Sequence, residues 1–289
     1  MDRNQKMHTQ RHHPDRGFTM IEMVVVIVLT SILASAVAMF VKLPVQGFVD
    51  SARRAEMTDI ADTALRRMGR DLRLALPNSV RLTDGDATIE VLLTKAGGRY
   101  RIEGDTTADE LNFSISDMLF DQLGPLSTLP GQAITVNSDS VVIYNLGTGI
   151  TGADAYAATA DNRSLITGLP AGALANEQRI QIDAKKFPFE SPGNRFQVIE
   201  GPVSYVCANG SLTRYWAYPI QATQPTAATL SALGGSSAFL ATNVGSGGCV
   251  FDYSPGITAR SGLVALTLII TQAGESVRLY HEVHVTNVP

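Results

Sequence analysis

The sequence predicts an α+β protein: a long N-terminal helix followed by a head of antiparallel β-strands. Three observations carry this. Residues 18–40 are almost unbroken apolar sequence. Residues 48–76 place apolar side chains at three- to five-residue steps among charges. From residue 79 onward, short alternating or β-branched runs are punctuated by Gly and Asn, the pattern of strands joined by turns. The chain is thereby divided into a leader (1–17), a helix (18–76, its membrane-spanning part about 18–40) and a globular head (77–289).

The apolar run is long enough to cross a bilayer. At about 1.5 Å per residue it makes a rod of roughly 34 Å, against a hydrocarbon core of about 30 Å. Its apolar side chains occur on all sides, so no face is meant for water. One charge interrupts it. Glu22 lies one turn inside the start, where an ionised group costs a few kcal/mol in lipid and marks a functional position.

Gly17, Phe18, Thr19 and Glu22 resemble the processing site of type IV prepilins: a basic leader ending in Gly, a bulky residue, a Glu four positions on, then an apolar helix. The resemblance implies that a prepilin peptidase cuts the Gly17–Phe18 bond on the cytoplasmic side and methylates the new amine of Phe18. The helix then stays on the mature protein, and Glu22 pairs with the N-terminal ammonium of a neighbouring subunit. A carboxylate in hydrocarbon requires a cation, and a chain terminus at the same depth supplies one. Ala34-Ser35-Ala36 and Ala36-Val37-Ala38 also satisfy the small-x-small rule of ordinary signal peptidase. That enzyme follows an apolar region of about 7–15 residues, shorter than this one, and its cut would leave Val37 or Met39 as the new terminus.

The leader carries Arg3, Lys6, Arg11 and Arg16 against Asp2 and Asp15, a net of +2, so its removal takes the chain from −4 to −6. Its basic, His-containing start (His8, His12, His13) reads as a disordered tail and as a topology signal. Basic residues before the span and only Lys42 just after it place the N-terminus in the cytoplasm and the head in the periplasm. The acidic balance argues against nucleic-acid binding, which needs concentrated Lys and Arg. The two cysteines, Cys207 and Cys249, lie far into the exported part and read as one disulfide. Two buried free thiols are the alternative. Neither Cys has a second ligand at metal-site spacing.

Pro44 predicts a kink or loosened turn. The amphipathic half then offers Phe48, Ala52, Ala55, Ile60, Ala64, Met68, Leu72 and Ala75 as its apolar stripe, and Pro77-Asn78 ends it. Asp50, Arg53, Arg54, Asp59, Asp62, Arg66, Arg67, Arg70 and Arg73 fill the remaining positions, as a solvated face or as contacts to neighbouring subunits. Strands are expected at 88–94, 99–103, 110–115, 133–136, 140–146, 179–183, 195–200, 203–208, 212–220, 239–242, 250–253, 263–271 and 276–285. Asn209-Gly210 and Ala273-Gly274 are the hairpin turns, and the stretches 147–172 and 223–248 read as long loops.

The stretches 199–207 and 275–289 resemble those of MshO-like minor prepilins of the mannose-sensitive haemagglutinin (MSHA) pilus. Minor pseudopilins of type II secretion and PilW-like minor pilins share the architecture more distantly. The resemblance implies the pilin fold, a non-enzymatic role in pilus initiation or at the tip, and residence in the inner membrane before the pilus. Its implied partners are other minor and major pilins, prepilin peptidase and the inner-membrane assembly platform. The alternatives are a secretion pseudopilin and a single-span, membrane-anchored periplasmic binding protein; an anchored hydrolase is a further rival.

Catalytic patterns are weak. Ser246 in Gly245-Ser-Gly-Gly-Cys249 has no strand–turn–helix elbow around it and reads as a Gly/Ser linker. His281 and His284 are three apart on an expected strand and point to opposite faces. Asp84, Asp86, Asp105, Asp109 and Glu110 cluster carboxylates without a calcium-loop spacing. Tyr215, Trp216 and Tyr218 read as packing residues. No cofactor is expected.

Overall fold

Helix α1 runs continuously over Met20–Arg73, through Pro44 and Gly47. Pro44 has no N–H to offer the carbonyl one turn earlier. The computed structural model describes residues 17–83, 85, 87–103, 108–127, 129–255 and 260–289; the leader residues before Gly17 and the carboxylates Asp84, Asp86 and Asp105 lie outside them. The chain divides into two units, Met1–Arg53 and Arg54–Pro289.

In the first unit every side chain described from 17 to 49 is exposed. The hydroxyls within the apolar run are satisfied inside the helix itself. Thr30 Oγ1 donates to the Val26 carbonyl at 2.8 Å, Ser31 Oγ to Ile27 at 2.7 Å and Ser35 Oγ to Ser31 at 2.8 Å. In hydrocarbon such groups have no water to turn to, so this back-bonding is what makes them tolerable there.

In the second unit α1 buries Met57, Ala61, Ala64, Leu65, Met68 and Leu72. This corrects the expected stripe at its start, because Phe48, Ala52 and Ala55 are exposed. At about 100° per residue, the five-residue step from Ala55 to Ile60 crosses to another side of the helix. The first three positions therefore never shared a face with Met68 and Leu72.

Among the described residues, twelve strands form two sheets. They are β1 (Arg81–Thr83), β2 (Thr88–Arg99), β3 (Asp117–Gln122), β4 (Ser140–Ile143), β5 (Arg163–Gly168), β6 (Gln178–Lys185), β7 (Arg195–Ala208), β8 (Ser211–Trp216), β9 (Ser236–Thr242), β10 (Val244–Ser254), β11 (Ser261–Gln272) and β12 (Glu275–Thr286). The large sheet is ordered β1-β2-β7-β4-β5-β6-β3, with β8 and β9 added beside the far half of β7; the small one is β10-β11-β12. All pairings are antiparallel. The α+β class, with a helix apolar at its start and antiparallel sheets after it, is what the structure shows.

Strand β7 is the spine of the large sheet. One edge pairs with β2 along nearly its whole length. The other edge forks: Phe196–Ile199 pair with β4, and Val203–Ala208 pair with β8. Alternation along β2 and β7 then separates two cores. Ile89, Val91, Leu93, Val203 and Tyr205 face α1 and the inner side of the small sheet. Leu92 and Ile199 face Leu76, Val142 and Tyr156 on the opposite side. A further core around Phe120, Phe187, Phe196 and Ile180 fills the β3–β6 end.

Both hairpin turns form as expected: Asn209-Gly210 (φ 51° and 73°) and Ala273-Gly274 (φ 51° and 82°) have the paired positive φ of a type I′ turn. Other expectations fail for local reasons. Residues 195–200 and 203–208 are one strand, since Gly201 and Pro202 keep their register with Leu93 and Leu92. The strand expected at 212–220 stops at Trp216, because Ala217 turns to φ 58°. The segment 110–115 is a loop whose amides are captured by side chains: Asn112 N–H by Asp117 at 2.7 Å, and Ser114 N–H by Asn112 at 2.8 Å. Residues 133–136 form no strand; the Thr135 N–H donates to the Asp139 carboxylate at 2.6 Å. Beyond Arg99 the expected strand 99–103 survives only as a bridge from Tyr100 to Gln122. The supposed loop 147–172 contains β5, and 223–248 contains a short helix α2 (Ala227–Leu230), a 3-10 turn (Ser231–Leu233) and β9. The Gly/Ser linker is a bulge inside β10, where register shifts between Val244 and Cys249.

A buried charge ties α1 to the large sheet. Asp71 Oδ2 accepts from Tyr205 Oη at 2.6 Å and from Arg214 Nε at 2.8 Å, and Arg214 lies 4.9 Å from the Trp216 ring centroid. Burial, then Asp71, holds the Tyr205 hydroxyl well above its ordinary pKa. Replacing Asp71 by Ala leaves Arg214 buried without its carboxylate, which costs about 3–5 kcal/mol. Tyr205→Phe loses one hydrogen bond, about 1 kcal/mol. Denaturant melts of the detergent-solubilised chain should rank the variants in that order; equal midpoints would show that the clamp contributes nothing.

Candidate functional site: the N-terminal turn and the forked sheet

Gly17 and Phe18 precede the first turn of α1, and Phe18 is 80% exposed. Thr19 caps the helix: its Oγ1 accepts the Glu22 N–H at 3.3 Å, and its carbonyl accepts the Met23 N–H at 3.2 Å. Thr19-x-x-Glu22 is the forward half of a capping box. The sequence contained this signal, and reading Glu22 only as a charge in lipid missed it. The acidic side chain sits in the first turn, where the helix dipole favours it. The Gly17–Phe18 peptide is thus accessible, just outside a capped helix, with Glu22 in the exposed turn beyond it.

Cys207 and Cys249 are bonded, with Cα atoms 6.1 Å apart across a separation of 42 residues. The bond staples β7 to β10 and so joins the two sheets. Closing a loop of that length contributes about 4 kcal/mol in the chain-entropy model.

The other sequence candidates do not converge. His281 and His284 pair with Leu266 and Leu263 on opposite faces of β12. His281 lies against Gly69 of α1, whose missing side chain makes room for it: a Cβ there would sit 3.2 Å from the imidazole. Trp216 packs on the core facing α1, and Tyr218 is buried with its hydroxyl 2.6 Å from Ser204 Oγ. Asp109 is raised above the usual carboxylate range by burial and by its acidic neighbours, while Arg179 holds Asp121 low. Among the described residues no three His, Cys, Asp or Glu side chains gather as metal ligands.

The sheet face away from α1 carries a second buried ion pair. Glu90, fully buried, accepts from Arg81 at 3.0 Å. Arg81 also donates to the Gln221 and Ala222 carbonyls at 2.8 and 2.9 Å and stacks 3.6 Å from the Tyr156 ring centroid. One Glu90 oxygen has no partner. Burial outweighs the attraction of Arg81 and the nearby Ser204 and Tyr218 hydroxyls, and pushes Glu90 up to about 7. Because its folded value lies above its ordinary 4.5, its contribution is complete below pH 4.5 and is lost as pH rises through 7. Stability should fall by on the order of 2–4 kcal/mol across that window. Subtracting the Glu90→Gln profile from the unmodified one should isolate that slope; parallel profiles would contradict it.

Residues 13–38 match the prokaryotic N-terminal methylation motif. No curated protein and no solved structure matches the chain. The motif falls on the capped turn and the apolar half of α1, and it supports a type IV prepilin-like protein, which implies association with a membrane and with pilin and assembly partners in general. Helix α1 is long and apolar enough to cross a bilayer and suggests a single-pass anchor.

Proposed function

We propose that this chain is a minor pilin-like subunit that initiates or caps a type IV pilus of the MSHA type. The observation that carries the reading is the exposed Gly17–Phe18 bond set one turn before Glu22 on an all-round apolar helix. Prepilin peptidase cuts that bond and methylates Phe18. The helix waits in the inner membrane with its N-terminus cytoplasmic and its head periplasmic. The assembly platform then extracts the subunit, and the same apolar surface packs among other pilin helices.

Moving from lipid into a helix bundle gains little from hydrophobicity, since both are apolar. Close packing at Ala34, Ser35, Ala36 and Ala38 and the pairing of Glu22 with a neighbour's N-terminal ammonium supply the preference. The bulk of the head, with its twelve strands among the described residues, favours a tip position over a repeated shaft position. A pseudopilin of type II secretion uses the same steps and differs in its neighbours.

Co-expression with a prepilin peptidase should remove 17 residues and leave N-methylated Phe18 as the first residue by mass spectrometry. An intact Met1, or a terminus at Val37 or Met39, would refute the reading. Glu22→Ala should still be processed and inserted. Loss of a pairing of a few kcal/mol should cut its incorporation into sheared fibres by more than about tenfold. Undiminished incorporation would instead support a membrane-anchored binding protein.

A further inference from the structure

The side of α1 turned away from the sheets is sorted by charge. Met57, Ala61, Ala64, Leu65, Met68 and Leu72 are buried against the head. Glu56, Asp59, Thr63, Arg67, Arg70 and Arg73 are exposed, with Asp62 half-buried beside them. The acids come first and the arginines follow. Glu56, Asp59 and Asp62 form a row at three-residue steps, and Arg67, Arg70 and Arg73 repeat that row, each arginine eleven positions after one acid. Eleven residues are close to three turns of helix and roughly 16.5 Å of rise. Both rows therefore lie on one side of α1, at different heights.

These charges are poorly matched within the chain. Among the described residues, Glu56, Asp59, Arg70 and Arg73 have no ion-pair partner. Asp62 meets Arg66 at 2.6 Å across an exposed helical step, a kind of pair that contributes little. Arg67 comes only within 4.0 Å of Asp71, and the Asp71 carboxylate is already engaged by Tyr205 and Arg214.

We infer that this face docks on the same face of a second copy of the chain, with the two helices parallel and staggered by eleven residues. A single N-terminal anchor makes two copies leave one bilayer in the same direction, so the helices meet parallel. The inference rests on that anchor, and neither on cleavage at Gly17 nor on the kind of pilus. Parallel helices in register would set acid against acid and arginine against arginine, which repels. Shifted by eleven residues, the three acids of one copy come level with the three arginines of the other: Glu56 with Arg67, Asp59 with Arg70 and Asp62 with Arg73. The complement of the acidic row, at the same spacing, is present in the same sequence, and this selects a second copy as the partner. Exposed pairs add little affinity and chiefly fix register and partner. The contact thus sets the axial step between neighbours, while the apolar half of α1 supplies the attraction.

The test is cysteine cross-linking between two differently tagged full-length copies in the same membranes, using a short bismaleimide. Thr63 and Leu74 are exposed, uncharged and eleven residues apart. Thr63→Cys in one copy should link to Leu74→Cys in the other about tenfold more than Thr63→Cys links to Thr63→Cys. Salt at about 1 M, where the Debye length is about 3 Å, should erase that preference. Glu56→Lys with Asp59→Lys in the Thr63→Cys copy should abolish the preferred product, and adding Arg67→Glu with Arg70→Glu to the Leu74→Cys copy should restore it. The same acid reversal placed in the Leu74→Cys copy should leave the product unchanged. Restoration by the second reversal excludes misfolding as the cause of the loss. Equal yields in and out of register, no product in any pairing, or a loss that the complementary reversal does not restore would overturn the inference. Recovery in the membrane fraction is read separately, and absence of the chain from it would overturn the anchor and the parallel register together.

Discussion

The first half of α1 has no side that tolerates water. From Phe18 to Phe40 its apolar side chains are exposed, and the hydroxyls among them are turned back onto the helix's own carbonyls. Surface of that extent has to be covered by something outside the chain, lipid or other helices. The details at its start fit this demand. Thr19 closes the first turn, so an orphan amide is not carried bare into hydrocarbon, and Glu22 is the one group there that requires a partner of opposite charge.

In the second half the same helix solves a different problem, and it does so with charge as well as apolar contact. Met57, Ala61, Ala64, Met68 and Leu72 supply area, but Asp71 supplies direction: only one rotation of the helix brings its carboxylate to Tyr205 and Arg214 together. On the other face of the sheet, Arg81 and Glu90 fix the chain that follows β8. Two buried ion pairs, one on each face of β2 and β7, thus locate the elements that are not held by strand pairing. Apolar residues of the same shape could match their stability, but they would specify position less sharply.

What the sequence revealed and what it hid follow from the range of the interactions. The apolar run, the apolar stripe from Ile60 onward and the two Asn-Gly or Ala-Gly turns are local patterns, and each was readable. Strand β5 was not, because Arg163-Ser-Leu-Ile-Thr-Gly168 offers two apolar residues in a stretch rich in Gly and Ala and becomes a strand only by lying between β4 and β6. Residues 110–115 look like a strand until Asp117 captures the Asn112 amide. Nothing local marks Asp71 as a buried clamp, since its partners lie more than a hundred residues away. At the N-terminus the methylation motif was legible because it lies within one short stretch, residues 13–38.

The central claim is that one apolar helix serves lipid first and a packed polymer interior second. Lipid-phase quenching of a fluorophore at Ile32→Cys tests it most directly, measured in membranes and in sheared fibres from the same cells. The account predicts strong quenching in the membrane fraction and, in fibres, a label that is shielded from both lipid-phase and aqueous quenchers. A label that is quenched by lipid wherever the protein is found, with none recovered in fibres, would contradict it.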